Sequence, residues 1–205
     1  AVLDLPTDRA RPGLQSYNGD TLYRELSAEL SSQVQAFAKQ SGSTYFVVML
    51  AAYSALLSRY AAATDLVIGT PMSGRDREEV SGLIGIFLNT LALRIDLDSN
   101  PTFNELVQRA RQSAFEAFAN PDLPFEKLVD ELQPGRDMSY SPIFQTMLVV
   151  HQADDTNQPD MVNIKSRPIP FETHTAKFDL TLFVTQSSAG SSAIFEYNTD
   201  LFDRT

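Results

Sequence analysis

The 205-residue sequence contains no cysteine, and this absence excludes disulfide bonds and thiolate chemistry. It contains only two histidines, His151 and His174, which sharply limits metal sites and histidine-based catalysis. The longest apolar run, residues 46–57, is too short to span a bilayer. These absences allow a cytoplasmic location, which is our expectation.

Positive charge is also scarce. Lysine and arginine number 16 against 26 aspartates and glutamates, so the formal net charge is −10. Binding to nucleic acid or to an anionic membrane surface needs clustered basic residues. We therefore expect neither nucleic acid nor a membrane as a partner. The content of 43% hydrophobic and 20% charged residues is that of an ordinary globular protein.

Helical and strand periodicities alternate along the chain. They predict helices over 28–41, 45–60, 103–118 and 124–132, and strands over 65–71, 91–97, 143–151, 161–170, 177–186 and 193–198. Ser27 is placed to cap the first helix, and Thr102 with Glu105 fits a capping box. Residues 1–20 have the composition of an irregular lead-in, and residues 200–205 resemble the start of a further helix. This order predicts an α/β (α+β sandwich) fold, with a mixed, mostly antiparallel sheet packed with helices.

One polar residue interrupts the alternation of the strand that contains residues 91–97. Leu91, Leu93 and Ile95 share its apolar face, and Asn89 lies on the same face by the period of two. A buried amide needs hydrogen-bond partners, so Asn89 either anchors a neighbouring loop or lines a cavity at the strand mouth. We predict that Asn89→Ala in the full domain lowers activity more than it lowers folding stability.

Sequence patterns for catalysis are absent. There is no phosphate-binding glycine-rich loop, no Cys–His pair and no H-E-x-x-H motif. His151 is interpreted as a strand-end residue and His174 as a loop residue. Ser73 lacks the G-x-S-x-G spacing of a nucleophile elbow. Composition and periodicity alone thus describe an acidic α/β domain with a polar residue at the entrance of a strand.

Several segments together resemble the condensation domains of nonribosomal peptide synthetases. "GTPMSGRDREEVSGLIGIFLNTLALRIDL" is similar to the family segment that contains I-G-x-F-x-N-T-L-x-L-R, and "DLPFEKLVDEL" is similar to H-Q-D-x-P-F-E-x-L-V-x-x-L. "RDMSYSPIFQTML" resembles R-D-x-S-x-x-P-x-F-Q, while "LDLPTDRARP", "KFDLTLFV" and "EYNTDLF" resemble the entry segment and the closing hairpin. Asn120 and Pro121 replace a His-Gln pair that the family often has, and Tyr140 and Ser141 replace a frequent Arg-Asn.

The family's catalytic motif, H-H-x-x-x-D-G, belongs to the first half of the domain and is missing from this sequence. The resemblance therefore implies one chloramphenicol acetyltransferase-like lobe, the C-terminal one. Residues 1–20 would be a lead-in from the missing N-terminal lobe, and residues 21–205 would be the lobe itself, with its final helix truncated. We expect no catalytic residue in this chain and no activity from it alone.

The resemblance also implies a reaction and a place for this lobe in it. In the family, two lobes enclose a tunnel, and an acceptor amine attacks a donor thioester to form an amide. Both reactants are thioesters on the phosphopantetheine arms of carrier proteins. We therefore expect no bound cofactor and no metal. The loop before Asn89 would form the tunnel floor, which makes Asn89, Gly85, Arg75 and Ser73 candidate tunnel or floor-loop residues. Arg136, Asp137 and Ser139 are expected to be a structural motif.

The partners implied are the N-terminal lobe of the same domain, peptidyl and aminoacyl carrier proteins, and an adjacent adenylation domain. The isolated lobe is expected to self-associate through the face that meets its partner. Two alternatives remain: a non-catalytic module that docks carrier proteins, and a lobe of an epimerisation or dual-function relative. For Arg75, hydrogen bonding within the loop and contact with substrate are both open.

Overall fold

The structure, a computed structural model, describes residues 2–75, 78–135, 137–153, 173–187 and 190–204. Six strands and five helices follow one another along these residues. Their order is β1 Gly19–Leu26, α1 Ala28–Gln40, α2 Tyr45–Ala61, β2 Asp65–Ser73, α3 Glu78–Ser81, β3 Leu88–Asp96, α4 Phe103–Phe118, α5 Phe125–Leu132, β4 Thr146–Gln152, β5 Leu180–Ser187 and β6 Gly190–Asn198.

All six strands belong to one sheet, in the spatial order β1-β6-β5-β4-β2-β3. The pairs β1–β6, β5–β6 and β2–β3 are antiparallel, and the pairs β2–β4 and β4–β5 are parallel. This arrangement confirms the mixed, mostly antiparallel sheet packed with helices. It places β3, the strand that carries Asn89, at one edge of the sheet.

The four helices that periodicity predicted are present within about one residue of their expected ends. Ser27 caps α1 by accepting the N–H of Leu30, and Thr102 and Glu105 form the predicted capping box of α4. Two features differ from expectation. Strand β1 was not predicted, and residues 199–204 form a turn and irregular chain rather than a helix. The predicted strand over 161–170 lies outside the described residues.

Helices α1, α2 and α4 cover one face of the sheet, which is called the helix face below. Leu50 and Leu57 of α2 pack there with Ile68 of β2 and Leu93 of β3, and all four are at most 2% exposed. The hydroxyl groups of Tyr53 and Thr146 form a hydrogen bond inside this core, so the buried Tyr53 hydroxyl has a partner. Within the described residues no single helix is long and apolar enough to cross a membrane, and α1 with α2 passes that test only as a pair bent by 106°.

The irregular N-terminal segment packs into the same core. Leu3 and Leu5 are buried, and the Leu3 N–H donates to the Gln145 side chain at 2.7 Å. Arg11 forms a buried ion pair with Asp179, while its guanidinium lies 3.9 Å from the centre of the Tyr140 ring. Residues 2–18 are therefore irregular in conformation, as expected, but they are an integral part of this folded unit.

The opposite face of the sheet, called the second face, carries a half-buried carboxylate. Strand pairing places Glu196 of β6 between Thr21 of β1 and Thr181 of β5. Burial raises the pKa of Glu196 above its usual value, even though the backbone N–H of Lys177 donates to the carboxylate and favours its charged form. The partly exposed side chains of Phe183 and Ile194 lie on the same face.

Glu196→Gln should stabilise the protein at neutral pH. A carboxyl whose pKa is higher in the folded than in the unfolded state costs stability once the pH exceeds its ordinary value of 4.5. Thermal melts of both proteins at pH 7.5 and pH 4 measure this, and the advantage of the variant should shrink as the pH falls. Glu25→Gln, an exposed position on neighbouring β1, is the matched control. Equal melting temperatures of wild type and Glu196→Gln at pH 7.5 would contradict the expectation.

Candidate functional site

The candidate site lies where β2 ends and β3 begins. We call the described residues between these strands, 74–75 and 78–87, the floor loop; they include the short helix α3. The loop closes at its base because the Gly74 N–H donates to the Phe87 carbonyl at 2.8 Å. A Cβ on Gly74 would overlap that carbonyl oxygen, so glycine is required for this close approach. Sequence reasoning missed both Gly74 and Phe87.

Asn89 follows the loop, and every hydrogen-bonding group of its amide is engaged. Its Nδ2 donates to the carbonyls of Pro121 and Leu123, both at 2.8 Å. Its Oδ1 accepts the N–H of Phe125 at 3.2 Å and that of Thr90 at 2.8 Å. Asn89 thus holds the segment between α4 and α5, which is 32 to 36 residues away in sequence.

The bond from Phe125 explains how α5 begins. The residue at its N-cap position is Pro124, which makes no side-chain capping bond. The first N–H groups of a helix lack partners within the helix, and a side-chain oxygen normally accepts one of them. The amide of Asn89 performs this role from another element. Since no donor of Asn89 is left for a substrate, the geometry favours the loop-anchoring alternative over the cavity alternative.

Helix α5 depends on such local anchors because it buries little surface. None of its eight residues is fully buried. Phe125 packs on Phe144 with ring centres 5.2 Å apart, and Phe144 packs on Phe178 at 5.1 Å. Phe144 in turn covers Gly69 of β2, where a Cβ would overlap its ring. An isolated helix of this length is not stable in water, so these contacts and Asn89 fix its position.

The other predicted floor-loop residues have plain structural roles. The Ser73 hydroxyl accepts the backbone N–H of Arg75 at 3.4 Å. The Gly85 carbonyl accepts from the Arg75 guanidinium at 2.9 Å. The backbone of Gly85 does not have positive φ, but a Cβ there would come within 3.2 Å of the Phe87 ring. Arg75 therefore contacts the loop itself, in keeping with the first of its two alternatives.

The predicted structural motif is described only in part, because Arg136 lies outside the described residues. Asp137 accepts the N–H of Ser139 at 2.9 Å and its hydroxyl at 2.6 Å, and these bonds lower the pKa of the Asp137 carboxyl. The Ser139 carbonyl accepts from Arg11 at 3.2 Å. These contacts tie the N-terminal segment to the chain that leads into β4, which supports a structural role.

Residues at which the sequence departs from the family pattern also have definite contacts. Asn120 donates to the Glu116 carbonyl at 3.0 Å and so ends α4, while Pro121 offers its carbonyl to Asn89. Tyr140 supports the guanidinium of Arg11, and the Ser141 hydroxyl accepts from Gln15 at 2.7 Å. The departures therefore leave the framework intact.

A groove of about 1030 Å³ lies between α5 and the segment leading to β4. Asp130 and Asp137 line it, and no described residue of the floor loop does.

His151 is exposed at the end of β4, and His174 has positive φ in irregular chain. Among the described side chains, no cluster of three or more histidines and carboxylates is placed to hold a metal ion.

Comparison with known proteins identifies the family. The family model described as "Condensation domain" matches residues 1–205. This chain belongs to the condensation domain family. A linear gramicidin synthase protein of Brevibacillus parabrevis is 46% identical to this condensation-domain chain over 203 residues, which are 98% of the chain and 3% of that synthase. The chain therefore spans a small fraction of the curated relatives it matches.

Solved structures agree with the assignment. The X-domain from teicoplanin biosynthesis is 31% identical, with a TM-score of 0.88 over 98% of this chain and 46% of that one. The four-domain nonribosomal peptide synthetase holo-AB3403 gives a TM-score of 0.89 over 97% of this chain and 16% of that one. At 24% identity, the second likeness concerns the fold alone. The fold is that of a condensation domain.

Asn89→Ala should destabilise the protein by about 2–3 kcal/mol, because it leaves the Phe125 N–H uncapped and two carbonyls without their donor. Urea unfolding measures the loss. Asn120→Ala removes one exposed hydrogen bond in the same segment and should cost less than about 1 kcal/mol, which makes it the control. A wild-type unfolding midpoint combined with lost activity of the complete domain would instead support the cavity alternative.

Proposed function

We propose that this chain is the C-terminal lobe of a nonribosomal peptide synthetase condensation domain. The complete domain would form an amide between a donor aminoacyl or peptidyl thioester and an aminoacyl acceptor, each carried by a carrier protein. One observation carries the proposal. The family model matches the whole chain, yet the chain covers only 46% of a solved X-domain and has no H-H-x-x-x-D-G motif.

In this reaction the acceptor nitrogen attacks the carbonyl carbon of the donor thioester. The new C–N bond forms, the C–S bond breaks, the nitrogen gives up a proton, and the donor arm leaves as a free thiol. Neither Asn89 nor Arg75 is suited to take that proton. The amide of Asn89 has no useful basicity, and Arg75 is a permanent cation. The base would come from the histidine motif of the N-terminal lobe.

The contribution of this lobe would be a wall, a floor loop and a latch that confine the two tethered reactants. Holding reactants in alignment removes a large entropic part of the barrier. Three apolar side chains of the floor loop support a covered position in the complete domain: Leu83, Ile84 and Ile86 are 53%, 104% and 92% exposed here. A loop that presents such side chains to water is expected to meet another surface.

The proposal includes the surrounding proteins. Carrier proteins would supply the phosphopantetheine arms, so this chain would need no resident cofactor, and an adenylation domain would adjoin it. The relatives named synthases are many times longer than this chain, which supports such a multidomain setting. Residues 1–20 would belong to the lobe itself, because Leu3 and Leu5 lie in its core. A cytoplasmic location and self-association of the isolated lobe belong to the same proposal.

A docking module is the second candidate function. The teicoplanin X-domain, to which this chain is 30% identical, has been solved in complex with OxyB. That likeness favours a lobe that binds a protein partner. The alternative of an epimerisation or dual-function relative would also retain the scaffold and differ in the missing half.

An assay for amide formation with carrier-bound donor and acceptor thioesters tests the proposal. We expect product from the chain joined to its natural upstream half and none from the chain alone, because the base lies upstream. The matched control is the joined protein with both histidines of the upstream motif replaced by alanine. Product from the chain alone would overturn the assignment of catalysis to the other lobe. No product from the joined protein would favour the docking module.

A further inference from the structure

The floor loop is organised around a single guanidinium group. Arg75 Nη1 donates to the carbonyls of Val80 at 3.2 Å and Leu83 at 2.8 Å, and its Nη2 donates to the Gly85 carbonyl at 2.9 Å. The same group lies 4.7 Å from the centre of the Phe87 ring. One side chain thus contacts four points along an eight-residue stretch of the loop.

Burial of apolar side chains does not hold this loop. Residues 82–86 are all exposed, and Ile84 and Ile86 are almost completely so. The remaining backbone contacts described here are the closure between Gly74 and Phe87 and a turn in which the Leu83 N–H donates to Val80 at 3.1 Å. The conformation of the loop therefore rests mainly on hydrogen bonds to Arg75.

Only arginine has the geometry for these contacts. Its planar group offers five donors in a fixed fork and presents a flat surface to an aromatic ring. A lysine ammonium is a compact charge and cannot reach carbonyls on two sides while stacking on Phe87. Charge alone at this position would not reproduce the arrangement.

We propose that Arg75 is a positioning residue that fixes the floor loop in one conformation and acts on the reaction through the loop, without touching substrate. The inference rests on the proposed function, in which the loop confines the reactants. Without the contacts of Arg75, the loop would sample many conformations and align the tethered reactants less often. Turnover would then fall, while recognition of the carriers should change little, because Arg75 contacts the loop itself.

The test uses the chain joined to its upstream half and compares Arg75→Lys and Arg75→Ala with wild type. Hydrogen exchange followed by mass spectrometry should show at least about tenfold faster exchange in peptides covering the Gly74 and Leu83 amides. We expect kcat to fall about 10- to 100-fold in both variants, with KM for the carrier substrates within about twofold. The melting temperature should change little, because the loop contributes little to the core.

Arg94→Lys is the matched control, since Arg94 also forms a two-bond contact, with Asp65 at 2.8 Å, on the exposed surface of β3. It should leave exchange, kcat and KM unchanged. Added methylguanidinium, but not methylammonium at equal concentration, should restore part of the kcat of Arg75→Ala.

Two outcomes would overturn the inference. Arg75→Lys with wild-type exchange and wild-type kcat would show that a positive charge suffices and that the guanidinium contacts do not fix the loop. Faster exchange with unchanged kcat would show that the loop conformation does not matter for turnover. Failure of the wild-type joined protein to form amide would count against the proposed function, whereas the exchange data would still decide whether Arg75 holds the loop.

Discussion

A single neutral amide connects the parts of this chain that lie around the candidate site. Asn89 lies near the start of edge strand β3, just after the floor loop. Three of its four hydrogen bonds reach the segment that leads into α5, and the fourth is accepted from the neighbouring Thr90 N–H of β3. An edge strand has unpaired backbone on one side and a short helix has weak intrinsic stability. The hydrogen bonds of Asn89 join strand β3 to helix α5 and so fix the position of both. The floor loop therefore ends on a firm anchor.

This anchor also joins two segments of this chain that resemble family motifs. The N-T-L of residues 89–91 and the P-F-E of residues 124–126 are separated by a whole helix in the sequence. In the structure the first supplies the cap that the second lacks, because Pro124 offers no side-chain oxygen. A change in either motif would disturb the other. In this chain the two motifs thus meet in one physical contact.

Much of the fold could be predicted from the sequence, whereas the contacts of the site could not. Helices α1, α2 and α4 have apolar stripes and capping residues, which are local signals. Strand β1 was missed because its residues alternate weakly and Tyr23 and Arg24 are exposed; its partner β6 lies at the other end of the chain. The period of two correctly predicted which face of the strand Asn89 occupies. Its partners could not be predicted, because they are backbone atoms of the α4–α5 segment and a side-chain pattern carries no information about them.

The two parts of the site are held by different forces, and the difference fits a lobe that works with a partner. Asn89 is half-buried and neutral, so it suits a permanent joint within the lobe. The floor loop cannot use burial, since its isoleucines point outward and are free to pack on another surface. Hydrogen bonds from a charged group to backbone carbonyls require no hydrophobic core beneath them. In the proposed two-lobe domain, Arg75 would therefore organise the loop before a partner surface docks, and the partner would meet a loop whose ordering entropy has already been lost.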